Sequence, residues 1–400
     1  MQKKTPATSK TAGNASGPVQ RARNVLEVLA AAGPQIEAER QLTAQVMAAF
    51  HQERLFRVLL PKSLGGDAVD LVTFGKVIET IAAVDASAAW CVSQGGGCAM
   101  GAAFLKPDAQ KRLFGAPDSV LAWGAGVQGK ATAVEGGYRV TGTWTFASGS
   151  RHATILGGHS YIFEGDGTPR KRPDGRQLDR SLLFTRDKAK VHDIWHVVGL
   201  KGTGSDTFEV KDLFVPEDDT IDRENPAELH EPEPIFQFPA TLAYAVGFCS
   251  LMLGVARGQL DALNKLAQTK TPRGANSSLL ESPVFQTNYA ILEARQRSAR
   301  AYLHQTAGEM YQSVVDGNTL TMEQKLSLKL ATTYGINQGV EIATEAYRAA
   351  GQTAIFPTNP FERRMRDALT ASQQTQGRIT NYLTVGRVLL GLPPDSLMFL

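Results

Sequence analysis

The stretch GTWTFASGSRHA, residues 142–153, decides how this chain is read. Polar and apolar side chains alternate through its first half, the period of a half-buried β-strand. Ser148 and Gly149 then supply turn chemistry. An indole, several hydroxyls and an imidazole thus share one strand and its exit. Two readings follow: a bulged strand with a buried Trp144, or a wall for a flat, polar, redox-active ring.

Outward from this stretch the β-pattern continues. ATAVEGGYRVTGTWTFAS alternates on both sides of a turn placed at Gly136-Gly137. A second strand set reads RSLLFTRDKAKVHDIWHVVGLKGTGSDTFEVKDLFVPE, and EGDGTPRKRPDGRQLD between the two reads as a solvated loop. Before the β-region, about Val19 to Phe114, apolar residues recur three and four apart, interrupted by the Pro and Gly residues of LPKSLGG. After it, ATLAYAVGFCSLMLGVARGQLDALNKLAQ is apolar almost all round in its first half and predicts a buried helix. Two long amphipathic stretches follow, and a last helical segment is expected from Phe361 to about Leu390.

The expected organisation is a disordered tail over 1–19, an N-terminal helical domain over 20–117, a β-domain over 118–235 and a C-terminal helical bundle over 236–400. The fold class is mostly α with a central β-domain.

Bulk properties exclude some functions. The 400 residues carry 42 basic and 39 acidic side chains, a net charge of +3, so no electrostatic footprint argues for nucleic acid or an anionic membrane as partner. The three cysteines, Cys91, Cys98 and Cys249, form neither a CxxC nor a Cys/His cluster, which argues against a metal site or a disulfide framework and for a reduced, cytoplasmic setting. The N-terminus lacks an apolar signal-peptide core, and no apolar run reaches the ~18 residues of a membrane span.

The order of helices, small β-domain and long-helix bundle resembles the acyl-CoA dehydrogenase fold: an N-terminal helical domain, a small β-barrel or sandwich and a C-terminal four-helix bundle. LPKSLGG (Leu60–Gly66), DIWHVVGLKGTGSDTFEVKDLFVP (Asp193–Pro216) and NPFERRMRDA (Asn359–Ala368) are similar to motifs of that family. The resemblance implies a flavin between the β-domain and the helices. It puts Trp144 and Thr145 beside the isoalloxazine ring and LAWGAG, with Trp123 and Gly124, on the companion strand. It also makes Arg273, in TKTPRGANSS, a phosphate-binding candidate across a subunit contact, since an Arg fork suits phosphate.

Fold alone does not fix chemistry. A thioester dehydrogenase of this family needs a carboxylate to remove a weakly acidic C–H proton. Both usual sources are empty here: no Asp or Glu occurs between Asp367 and Asp395, or in the buried helix between Ala240 and Leu260. DASAAWCV, GTWTFASG and IWHVVGLKGTGSDT are closer to the two-component flavin monooxygenases that share the fold. That branch implies reduced flavin, FMN or FAD, delivered by a separate reductase, then reaction with O₂ in a dry pocket beside a small-molecule substrate. A homotetramer assembled through the C-terminal helices is the expected assembly. No Rossmann unit is evident; GGGCAMG (Gly95–Gly101) follows an apparent helix and is read as tight helix packing or as room beside the flavin.

Within this reading Ser148 is the candidate hydroxyl on the flavin N5 side, and His152 a candidate proton carrier. The phenol hydroxylases of this branch tend to carry a His where this chain has Gly97-Cys98 and another where it has Gln373-Gln374. Gln374 is therefore the candidate substrate or peroxide contact, able to hydrogen-bond but not to transfer a proton at neutral pH. An electron-rich heteroaromatic such as an indole fits a site without a phenol-deprotonating base. The alternatives are a dehydrogenase or oxidase acting on a thioester, and an N- or S-oxygenase. His192 and His196 flank Trp195 with no third ligand in register and read as structural.

Overall fold

Caps or first-turn prolines in the sequence mark the start of most helices of the N-terminal third. The computed structural model describes residues 16–396, so most of the expected tail lies outside the described residues. Six helices come first: α1 (Pro18–Asn24), α2 (Leu26–Glu39), α3 (Ala44–Gln52), α4 (Leu71–Ala82), α5 (Ala86–Ala99) and α6 (Pro107–Phe114). Thr43, Asp70 and Asp85 accept hydrogen bonds from the first-turn amides of α3, α4 and α5. In LPKSLGG, Gly65 has φ +74°, and a Cβ at Gly66 would lie 1.9 Å from the Leu60 carbonyl oxygen, so the turn requires both glycines.

The GGGCAMG run is part of α5 and the turn after it. A Cβ at Gly95 would meet Phe56 at 2.8 Å, and one at Gly97 would meet the Tyr244 ring at 2.3 Å. The run is a close-packing surface, as the packing alternative expected.

The strands are β1 (Leu121–Trp123), β2 (Gly129–Val134), β3 (Gly137–Ala147), β4 (Ile155–Phe163), β5 (Asp179–Thr185), β6 (Lys190–His192), β7 (Asp206–Pro216) and β8 (Thr220–Ile221). They form one sheet in the order β6-β7-β3-β2-β4-β5-β8, with β1 paired to β4. The β2–β4 and β1–β4 pairs are parallel and the others antiparallel. Val134 pairs with Gly137, so the hairpin turn is Glu135-Gly136, one residue earlier than read from the sequence; Gly136 takes the left-handed conformation at φ +76°.

The basic excursion after β4 is more than a solvated loop. It folds back through bridges Phe163–Pro169 and Lys171–Gln177, and Arg172 inserts a largely buried guanidinium onto Asp222.

The C-terminal helices are α7 (Ala240–Ala267), α8 (Pro283–Val315), α9 (Met322–Ala350), α10 (Phe361–Ala371) and α11 (Thr380–Leu389). α7 packs against α4, α5, α8 and α9. Among the described helices it is the one long and apolar enough to cross a membrane, and most of that apolar window is buried inside the fold. The last segment is not one helix. α10 stops at Ala371, a short 3₁₀ turn covers Thr375–Gly377, and α11 starts at Thr380. The Gln374 side chain accepts from the Gln376 amide and so caps the 3₁₀ turn that separates the helices.

NPFERRMRDA staples three regions together. Arg364 donates to the carbonyls of Ala83 and Gly258, Arg366 to that of Val198, and Asp367 accepts from the Leu200 amide at 2.6 Å. The loop before β7 is thereby held against α10.

Candidate active site

The exit of β3, the start of α5 and the loop before β7 meet at Ser148. Ser148 is buried, and its Oγ accepts a hydrogen bond from the Trp90 indole N–H at 2.9 Å. The same oxygen lies 2.7 Å from Ser205 Oγ, which lies 2.7 Å from Thr203 Oγ1. Thr203 Oγ1 donates to the Leu200 carbonyl at 2.9 Å.

A carbonyl oxygen accepts only, and each hydroxyl has one proton. The chain therefore has one direction: Thr203 donates to Leu200, Ser205 to Thr203, and Ser148 to Ser205. Ser148 is left with no free proton and one acceptor lone pair. No carboxylate or imidazole belongs to this network.

β3 bends just before Ser148. The β3–β7 register shifts between Trp144 and Ala147, and Phe146 sits there at φ +56°. A left-handed Phe is strained, costing about 1–2 kcal/mol. Its ring is 61% exposed and meets Trp195 edge-on, with centroids 6.1 Å apart. Next to it, the Thr145 amide and hydroxyl both donate to the Gln128 side-chain oxygen, and the Thr145 carbonyl accepts from the Ala125 amide. A strained aromatic shelf, a polar edge and a polarised hydroxyl chain together suit a flat ring with hydrogen-bonding edges. Phe146, Trp90 and Gln128 were missed by sequence reasoning.

The indole of Trp144 does not flank such a ring. It is fully buried in the sheet core, stacked on Phe208 with centroids 5.2 Å apart, and its N–H donates to the His159 carbonyl at 2.9 Å. A Cβ at Gly129, Gly142 or Gly158 would come within 2.4–2.6 Å of this indole, so three strands make room for it. A Cβ at Gly124 would meet Trp144 Cβ at 2.5 Å, so Gly124 serves close strand approach. Trp123 turns toward the helices, in a cluster with Cys98, Leu121 and Ile221, and its ring lies 4.9 Å from that of His159.

His152 is not placed to carry protons. Its Nε2 accepts from the Leu42 amide at 2.9 Å, and burial pushes its pKa down to about 4, so the ring is neutral at pH 7. His159, hydrogen-bonded to Ser181, is pushed down to about 3 by burial. His192 pairs with Glu209, and His196 lies near Asp193 and Arg40.

Gln374 is partly buried. Its side-chain oxygen is used in the cap, while its Nε2 is a buried donor with no partner. Arg273 is exposed, on the loop between α7 and α8. Asp367 is fully buried and its carboxyl is raised to about 7, first by burial and then by the Asp85 charge; its bond to the Leu200 amide gives it a structural task.

The family described as "Acyl-CoA dehydrogenase, C-terminal domain" matches residues 246–376. Indole-3-acetate monooxygenase of Pseudomonas putida is 30% identical over 362 residues, covering 90% of each chain. The flavin-dependent monooxygenase oxygenase subunit HsaA of Rhodococcus jostii (strain RHA1) is 26% identical, covering 88% of this chain and 92% of that protein. The structure of XiaF from Streptomyces sp. in complex with FADH2 and glycerol superposes with a TM-score of 0.87 at 26% identity, covering 95% of this chain and 96% of that one. The chain belongs to the flavin-dependent monooxygenases built on the acyl-CoA dehydrogenase fold, as an oxygenase component working with reduced flavin.

Proposed function

We propose that this chain oxygenates a small indole-like aromatic, taking reduced flavin from a separate reductase. When bound, reduced flavin supplies the electrons that activate O₂ for transfer of one oxygen atom. The observation that carries the reading is the directed hydroxyl chain ending at Ser148. A lone pair without a free proton suits the N–H that a reduced flavin ring presents; an oxidised ring presents a lone pair at the same nitrogen.

The chain's own residues would divide the work. Phe146 and Thr145 form the shelf and its polar edge, and Ser148 orients the ring. Burial of Trp90 and the hydroxyl chain keeps water from that side. The unpartnered Gln374 amide donor is available to the substrate or to the oxygen being transferred, and it holds its proton. This suits a carbon nucleophile, such as an electron-rich indole, that needs no side chain to deprotonate it. The 30% identity to indole-3-acetate monooxygenase supports that substrate class. A thioester dehydrogenase lacks support, because the Ser148 network has no carboxylate.

Finer assignments belong to the same proposal. Arg273 reaches a flavin phosphate across a subunit contact, with FMN or FAD as the flavin. A homotetramer covers the apolar side chains left exposed around α11, among them Ile379, Leu383, Leu389 and Leu390. Domains over 20–117, 118–235 and 236–400 and a cytoplasmic setting complete it; the buried, free thiols of Cys91, Cys98 and Cys249 suit that setting.

The test is reconstitution with indole-3-acetate under air. Reduced flavin supplied by any reductase should give an oxygenated product, and NADH plus this chain without a reductase should give none. Turnover of a thioester in place of the indole would overturn the reading.

A further inference from the structure

Three arginines around the segment after β8 are matched to acids. Arg172 makes a two-pronged contact with Asp222 at 2.8 and 2.9 Å, Arg176 reaches Glu224 at 2.7 Å, and Arg180 makes a two-pronged contact with Glu228 at 2.8 and 3.0 Å. Arg223 lies within the same segment and differs. Its guanidinium carbon lies 4.8 Å from the centroid of the Trp123 ring, and it has no ion pair among the described residues. The residue is exposed, and the Trp123 ring beneath it packs in one cluster with Cys98 of α5 and Tyr244 of α7. Its positive charge acts on Cys98, Tyr244 and His159.

That corner is connected to Ser148. The Tyr244 hydroxyl donates to Cys98 Sγ at 3.3 Å. The Tyr244 ring stacks on Phe248 at 6.1 Å, Phe248 stacks on Trp90 at 4.3 Å, and Trp90 donates to Ser148. A run of packed side chains, Trp90, Phe248, Tyr244 and Cys98, thus leads from the hydroxyl chain to the cluster that holds Trp123, and Arg223 sits over that indole with no acid partner among the described residues. Stacking on an aromatic face pre-orients a guanidinium for planar, two-pronged recognition of a carboxylate.

We propose that Arg223 selects substrates carrying a carboxylate, receiving the acid group of an arylalkyl acid whose ring extends toward Ser148. The proposal rests on the oxygenase reading above and assigns the part of the substrate that the reading left open. Arg223 acts on binding and specificity and takes no part in oxygen transfer.

The test compares indole-3-acetate with indole-3-acetamide, a neutral analogue of nearly the same shape. Dissociation constants are measured by calorimetry on the anaerobic reduced-flavin complex, and kcat/KM in the reductase-coupled assay, for the wild type, R223A and R223K. The wild type should prefer the acid by about ten- to a hundredfold, the size of a charge-assisted hydrogen-bonded pair. R223A should lose that preference through the acid alone, with amide binding and flavin affinity unchanged, and R223K should fall between. An acid-to-amide ratio unmoved in R223A overturns the proposal. So does a parallel loss of flavin affinity, which assigns the guanidinium to a flavin phosphate. Absence of product from the wild type with either compound counts against the oxygenase reading alone, because the binding constants still decide on Arg223.

Discussion

Trp90 donates its indole N–H to the hydroxyl of Ser148 across 58 residues of sequence, at 2.9 Å and out of contact with water. The bond joins α5 to the exit of β3. It occupies one Ser148 lone pair while Ser205 takes the Ser148 proton, so a single lone pair is left to accept.

The direction of that hydroxyl chain is anchored at Thr203. In T203V the Ser205 proton loses its acceptor and turns toward Ser148, whose own proton then points outward. The preference for reduced over oxidised flavin should shrink about tenfold, the equivalent of one hydrogen bond of about 1.5 kcal/mol. Anaerobic equilibrium dialysis of both flavin forms checks this; an unchanged ratio shows that the chain does not set the preference.

Phe146 is strained and exposed, a combination that costs stability without contributing to the core. Asn tolerates the left-handed conformation far better. F146N should melt no lower than the wild type while binding reduced flavin about tenfold more weakly, since an aromatic stacking face is worth about 1 kcal/mol or more. A melting temperature several degrees lower would make the ring a structural element instead.

Trp144 should behave in the opposite way. W144F leaves a gap beside Phe208 and takes from the His159 carbonyl one of its two donors, the Gln128 amide remaining, so it should cost about 2–3 kcal/mol in denaturant unfolding, most of it from the gap. The flavin affinity of the folded fraction should stay within about twofold of the wild type. A selective loss of flavin binding at full stability would return the indole to the cofactor site.

The buried histidines set an acid limit on stability. Below the ordinary value of 6.5 the unfolded chain takes up protons that folded His152 and His159 refuse until about pH 4 and about pH 3. Stability should therefore fall as pH drops below 6.5, by up to about 3 kcal/mol from His152, and level off once the folded rings protonate. H152Q keeps an acceptor for the Leu42 amide without the titration. Its unfolding midpoint should depend less on pH between 6.5 and 4, and its oxygenation rate should keep the wild-type pH profile. An altered pH profile for the oxygenation step would restore His152 as a proton carrier.

The sequence carried the fold well because the fold is written in local signals. The change from helical to strand period and back, the LPKSLGG turn and, to within one residue, the hairpin turn at Gly136 are all readable without contacts. The site was harder, for one identifiable reason. Strict alternation puts Trp144 and Phe146 on the same face of β3. The bulge after Trp144 breaks that alternation, sending Phe146 outward and Ala147 inward, and no Gly or Asn at the left-handed position announces it. The place of Ser148 at the exit of the strand was legible, but its hydrogen-bond partners were not, because Trp90, Thr203 and Ser205 come to it through tertiary packing. Trp144 was misassigned because the three glycines that make room for it lie on separate strands and converge only in the folded register.

The most direct test of the account is isotopic. Reduced flavin, the protein and indole-3-acetate are mixed under oxygen-18 gas in ordinary water, and the product is analysed by mass spectrometry. The account predicts one oxygen-18 atom in each product molecule. A product whose new oxygen comes wholly from water, or a substrate oxidised without any new oxygen, would contradict it.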